Sequence, residues 1–151
     1  MAFVEEKFVP SGIYHITNAG SNQSIICSDG AERLNASSNG DHEWSIVLLA
    51  GKKWNIRSHT SGYRPNIEPE PDEGDEIPLR PAQHKPHSWV LKRRATAPDT
   101  YLIYSPSQPG LFWSLSDVEE GASLTLGCDD KNPLSWWKFR KVECPRKPDE
   151  V

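Results

Sequence analysis

Apolar and polar residues alternate along this chain in short runs, and each run soon meets Gly, Pro, Asp or Ser. No segment sustains an apolar period of 3.6 residues, so no α-helix of any length is predicted. The runs have instead the period of two that turns successive side chains to opposite faces of a strand. Three of them open alike: Gly12-Ile13-Tyr14-His15-Ile16, Lys53-Trp54-Asn55-Ile56 and Thr100-Tyr101-Leu102-Ile103. In each, Ile follows an aromatic residue by two positions, so both side chains face the same way. Three others close alike on aromatic-x-apolar: Trp44-Ser45-Ile46, Trp89-Val90-Leu91 and Trp137-Lys138-Phe139. The opening aromatics recur at spacings of 40 and 47 residues, and the closing tryptophans at 45 and 48. Two independent markers give the same period, which is the signature of internal repetition.

Between the markers each unit holds two further strand candidates. These are residues 23–26 and 33–36, then 64–67 and 76–80, then 110–115 and 123–126. Ser28-Asp29-Gly30, Pro71-Asp72-Glu73-Gly74-Asp75 and residues 117–121 supply the turns between them. Four strands in each of three units make about twelve. Three propeller blades fall below the usual minimum of about four, and a sandwich does not call for threefold repetition. The expected architecture is therefore an all-β chain folded as a β-trefoil, with three four-strand repeats and pseudo-threefold symmetry. One domain is expected to span residues 1–151, with repeats at about 11–52, 53–99 and 100–142. A short N-terminal arm (1–10) and a C-terminal tail (143–151) flank them. The opening aromatic and Ile positions, with Trp44, Trp89 and Trp137, should be buried.

Composition narrows the function. Six Trp among the hydrophobic residues make a core of few, large side chains, and 10 Gly with 13 Pro break the chain too often for long helices. The net charge of −4 excludes partners that need a positive field, so neither nucleic acid nor an anionic membrane is expected. No run approaches the ~18 apolar residues of a membrane span. The first ten residues carry Glu5 and Glu6 and no apolar signal core, so a cytoplasmic protein is expected. Cys27, Cys128 and Cys144 are odd in number and not spaced as a metal set, which suits a reducing compartment.

Signals of catalysis are missing. No Gly-x-Ser-x-Gly surrounds a serine, and no cysteine has an activating sequence context. His84-Lys85-Pro86-His87 lies in a Pro-flanked loop rather than on a helix that would aim two rings at one metal. The acidic run from Glu68 to Glu76 lacks the ligand order of a calcium loop and reads as a solvated surface. No enzyme activity, cofactor or metal is expected. Lys92-Arg93-Arg94, followed by Ala95, reads first as a charged strand end.

Gly110-Leu111-Phe112-Trp113-Ser114-Leu115, then Glu120-Gly121, then Trp136-Trp137-Lys138-Phe139-Arg140-Lys141-Val142 resemble the mushroom β-trefoil serine protease inhibitors, the cospin-like family. Gly12-Ile13-Tyr14-His15-Ile16-Thr17-Asn18 resembles their opening, and Glu73-Gly74-Asp75-Glu76-Ile77 their middle repeat. The resemblance implies a cytoplasmic, defence-related fungal protein that binds proteases through an exposed loop. It places that loop between the second and third strands of the first repeat, on Ser28, Asp29, Gly30, Ala31, Glu32 and Arg33. Here the sequence departs from a trypsin inhibitor, because Asp29 and Glu32 would oppose the Asp of a trypsin-type pocket. Arg94 with Ala95, or the stretch 57–66, is the alternative protease-binding segment. The runner-up is a carbohydrate-binding trefoil lectin. Its Gln-x-Trp triplets read here as His42-Glu43-Trp44, His87-Ser88-Trp89 and Ser135-Trp136-Trp137. Tyr63 with Asn66, or Trp113 with Asp117, would meet the sugar, although core packing is the expected use of Trp113.

Overall fold

In the computed structural model, which describes residues 9–27, 33–38, 42–67, 70–81, 87–115 and 117–142, the alternating runs become strands. The first repeat supplies β1 (Gly12–Asn18), β2 (Ser24–Ile26), β3 (Asn35–Ser37) and β4 (Trp44–Leu49). The second supplies β5 (Lys53–Ser58), β6 (Arg64–Pro65), β7 (Leu79–Arg80) and β8 (Ser88–Arg94). The third supplies β9 (Ala97–Ser105), β10 (Gln108–Leu115), β11 (Leu124–Gly127) and β12 (Trp137–Lys141). Among the described residues the sole helical turn is a 3₁₀ turn at Pro133–Ser135, where the Asn132 side chain accepts from the Leu134 N–H.

Six strands close a ring. β1 pairs with β4, β4 with β5, β5 with β8, β8 with β9, β9 with β12, and β12 returns to β1, all antiparallel. Closure removes the exposed edges that an open sheet would carry. The register explains the repeat seen in the sequence. Tyr14 stands opposite Trp44, Trp54 opposite Trp89, and Tyr101 opposite Trp137, so each opening aromatic faces its own repeat's closing tryptophan.

The hairpins β2–β3, β6–β7 and β10–β11 join at a triangle of backbone hydrogen bonds. The Leu34 N–H donates to Ile77 O (3.2 Å), the Ile77 N–H to Leu124 O (3.2 Å), and the Leu124 N–H to Leu34 O (3.1 Å). All three side chains are fully buried. One residue from each repeat thus occupies the pseudo-threefold axis.

Tyr14, Ile16, Trp54, Ile56 and Ile103 are buried as expected, with Trp44, Trp89 and Trp137. Tyr101 differs and is half-buried. The carbonyls of Val9 and Pro10 cover its two counterparts: Trp54 Nε1 donates to Val9 O (2.8 Å) and Tyr14 Oη to Pro10 O (2.7 Å). No described carbonyl reaches Tyr101, whose ring rests instead edge-on against Phe139.

Candidate functional site

The expected protease-binding loop leaves β2 at Cys27 and returns at Arg33. Ser28, Asp29, Gly30, Ala31 and Glu32 lie outside the described residues, but both flanks are defined. On the first flank, Cys27 Sγ is 3.3 Å from His42 Nε2, and the same nitrogen is 2.7 Å from Ser58 Oγ at the end of β5. The His42 ring leans on Trp44 with centroids 4.8 Å apart, and His15 Nδ1 meets His42 O at 3.1 Å. Burial lowers the His42 pKa; Glu43 partly opposes this, and His15 adds to the lowering. On the second flank, Arg33 bridges Pro78 in antiparallel fashion, and its guanidinium pairs with Glu76 at 3.0 Å. Leu34 follows at once in the central triangle. Both ends of the loop are therefore fastened to the second repeat.

Arg94 and Ala95 sit at the β8–β9 connection. β8 leads away from the hairpin triangle, so this connection lies at the other end of the barrel. Arg94 follows a register shift in the β8–β9 ladder, and its guanidinium lies 4.8 Å from the centroid of the Trp136 ring. Ala95 is exposed in the two-residue turn that follows. The basic run is thus mostly strand, and its last cation is engaged with an aromatic face.

The candidate sugar-binding pairs separate. Trp113 is 1% exposed; its ring meets Trp89 edge-on at 5.0 Å, and its carbonyl accepts from Trp137 Nε1 at 2.9 Å. It belongs to the core. Asp117 Oδ1 accepts from the N–H groups of Val118 and Glu119 and shapes a turn. Tyr63 remains 37% exposed just before β6, while Asn66 Oδ1 accepts from the Ile67 N–H.

Sequence reasoning missed what the triplet histidines do. His87 repeats the His42 arrangement, with Nε2 2.9 Å from Ser105 Oγ and its ring 4.6 Å from Trp89. Burial lowers its pKa as well. Each histidine thus ties its closing strand to the end of the next repeat's opening strand. The third triplet has Ser135, whose hydroxyl is 3.0 Å from Ser114 Oγ. Two histidines each found two residues before a closing tryptophan were the available signal.

Part of the acidic run is more engaged than a solvated surface. Glu76 holds Arg33, and Glu73 Oε1 accepts from Cys128 Sγ at 3.1 Å. That hydrogen bond, with burial and nearby carboxylates, pushes the Cys128 thiol pKa up and keeps it protonated. Among the described residues no group of three or more His, Cys, Asp or Glu is placed to hold a metal ion. Glu68 and Pro69, with Gln83, His84, Lys85 and Pro86, lie outside the described residues.

No family model matches the chain, and no curated protein matches its sequence. Solved structures do match. The ricin B-like lectin of Macrolepiota procera, in complex with lactose, shares 21% identity over 90% of this chain and 99% of its own, with a TM-score of 0.77. ThreeFoil, a designed threefold symmetric protein, shares 14% identity over 87% of this chain and 99% of its own, at a TM-score of 0.72. The chain is a β-trefoil. A proteinase inhibitor from Coprinopsis cinerea shares the trefoil with 12% identity, 89% and 99% coverage, and a TM-score of 0.68. Trefoil neighbours therefore include a lectin and a proteinase inhibitor, so the fold alone does not decide what this chain binds.

Proposed function

We propose that this trefoil is a reversible protein inhibitor of proteases, serine proteases first, acting through Ser28, Asp29, Gly30, Ala31, Glu32 and Arg33. The observation that carries this reading is the fastening of both loop flanks: Cys27 through His42 to Ser58, and Arg33 to Pro78 and Glu76. The fastened flanks fix where the segment leaves and re-enters the barrel, and anchoring of this kind lowers the ordering cost of binding. The Arg33–Glu76 pair is exposed, at 55% and 44%, and such pairs contribute about 0–1 kcal/mol, so a protease pocket competes with it at small cost. A cytoplasmic, defensive setting is part of the same proposal. The test is inhibition by the full chain of trypsin, chymotrypsin, subtilisin, papain and asparaginyl-endopeptidase classes. Inhibition of at least one class by micromolar protein is expected, and no inhibition of any class overturns the reading.

The second reading, a lectin, is favoured by one observation: Tyr63 is an exposed aromatic three residues from Asn66. Glycan-array binding abolished by Tyr63→Ala, with no protease inhibited, would put it first.

A further inference from the structure

A polar groove of about 550 Å³ lies between the first and third repeats, and its lining includes neither Cys27 nor Arg33 nor Tyr63. Thr17 on β1, Asn22, Ser24 on β2, Asp99 on β9, and Lys138 and Arg140 on β12 line it. The register places Thr17 opposite Lys138 and His15 opposite Arg140. These positions alternate with Ile16, Asn18 and Trp137, which are buried, so they form the outer face of the two strands. The volume lies within the ~300–1,000 Å³ typical of small-ligand sites.

The bonding state of the lining sets this groove apart. The side chains of Thr17, Asn22, Ser24 and Arg140 make no hydrogen bond or ion pair with the protein's described residues. Ser24 is 7% exposed, and its hydroxyl keeps some contact with solvent. Asn22 is fixed in place: its φ is +60°, its N–H donates to Asn18 O (2.9 Å), and Asn18 Oδ1 accepts from Gly20 and Ser21. The charges decide the ligand. Lys138 faces Asp99 at 3.8 Å, and Glu120, next to Ser38 at the margin, is held by Ser37 and Ser38. Among the described residues Arg140 has no ion-pair partner, and a guanidinium fits a planar carboxylate or a sulfate in two-point fashion.

We infer that this groove binds an acidic saccharide unit, a uronic acid or sulfated sugar, with its acid group on Arg140 and its hydroxyls on Thr17, Asn22 and Ser24. The inference does not rest on the proposed protease-binding loop. The test is NMR titration of the full chain with glucuronic acid, glucose 6-sulfate, glucose and inorganic sulfate, following backbone amides. Both acidic sugars should shift the amides of Thr17, Asn22, Ser24, Lys138 and Arg140, and bind at least about tenfold more tightly than glucose or sulfate. Arg140→Gln should weaken both about tenfold, Arg140→Lys should restore part of the loss, and Ser24→Ala should weaken glucose and acidic sugars alike. On the unaltered chain, raising salt should weaken the acidic sugars and not glucose, which keeps the test decisive if a variant fails to fold. Equal binding of glucose and glucuronic acid overturns the acidic assignment, and sulfate as tight as either acidic sugar overturns the saccharide. Absence of shifts at these amides at about 20 mM sugar overturns the site.

Discussion

At His42 and His87 the sign of the pH dependence follows from burial. Burial disfavours the charged ring, so each folded pKa lies below the ordinary value of 6.5. Their contribution to stability is complete above pH 6.5 and is lost as pH falls from there through the lowered folded values. Denaturant midpoints should hold steady from pH 8 to about 6.5 and then decline, and His42→Gln with His87→Gln should flatten that decline. The tryptophans give a second contrast at this scale. Trp44 Nε1 donates to Ile25 O (3.0 Å) and Trp137 Nε1 to Trp113 O (2.9 Å), whereas Trp89 Nε1 has no hydrogen-bond partner among the described residues. Phe at 44 or 137 strands a buried carbonyl and should cost about 1–3 kcal/mol more than Phe at 89, measured by urea unfolding. Aromatic-x-apolar spacing in the sequence placed all three indoles inside. It carried no sign of which N–H would find an acceptor, because that depends on β2 and β10 crossing the barrel end.

Among the elements, the short cap strands depend on one another. β6 and β7 have two residues each, too few to be stable alone, and they hold through Arg33–Pro78, Glu76–Thr125 and the Leu34–Ile77–Leu124 triangle. Ile77→Ala should therefore destabilise the fold by about 2–5 kcal/mol and also weaken the proposed protease inhibition, since it loosens the Arg33 flank. A second latch joins β3 to the β10–β11 loop, where the Glu120 carboxylate accepts from Ser37 and from the Ser38 N–H and hydroxyl. Those bonds hold its pKa below the ordinary 4.5, so the latch is complete above that pH and is lost as pH falls through the lowered value. Glu120→Gln should remove this acid-side loss, read from the slope of stability between pH 5 and about 3. The strands themselves were legible in the sequence, since alternation and turn residues are local. The latches were not, because Ser37 and Glu120 are 83 residues apart and nothing local marks their meeting.

For the whole molecule, threefold repetition was the legible property, and the proposed function rests on departures from that symmetry. The barrel closes because each opening aromatic meets its own closing tryptophan, a relation already present as two matching spacings. The loops between β2 and β3 and their counterparts obey no such constraint and differ freely among trefoils. The resemblance placed the proposed binding loop at residues 28–33; the contacts of its flanks, the Cys27–His42–Ser58 chain and the Arg33–Glu76 pair, emerged only from the fold. The decisive measurement is the inhibition constant, against the protease found in the class screen, of a variant in which residues 28–32 are replaced by a Gly-Ser segment of equal length. The proposed mechanism predicts a loss of about hundredfold or more with the thermal midpoint unchanged, as for removal of an interface's anchoring contacts. Unchanged inhibition by that folded variant would contradict it.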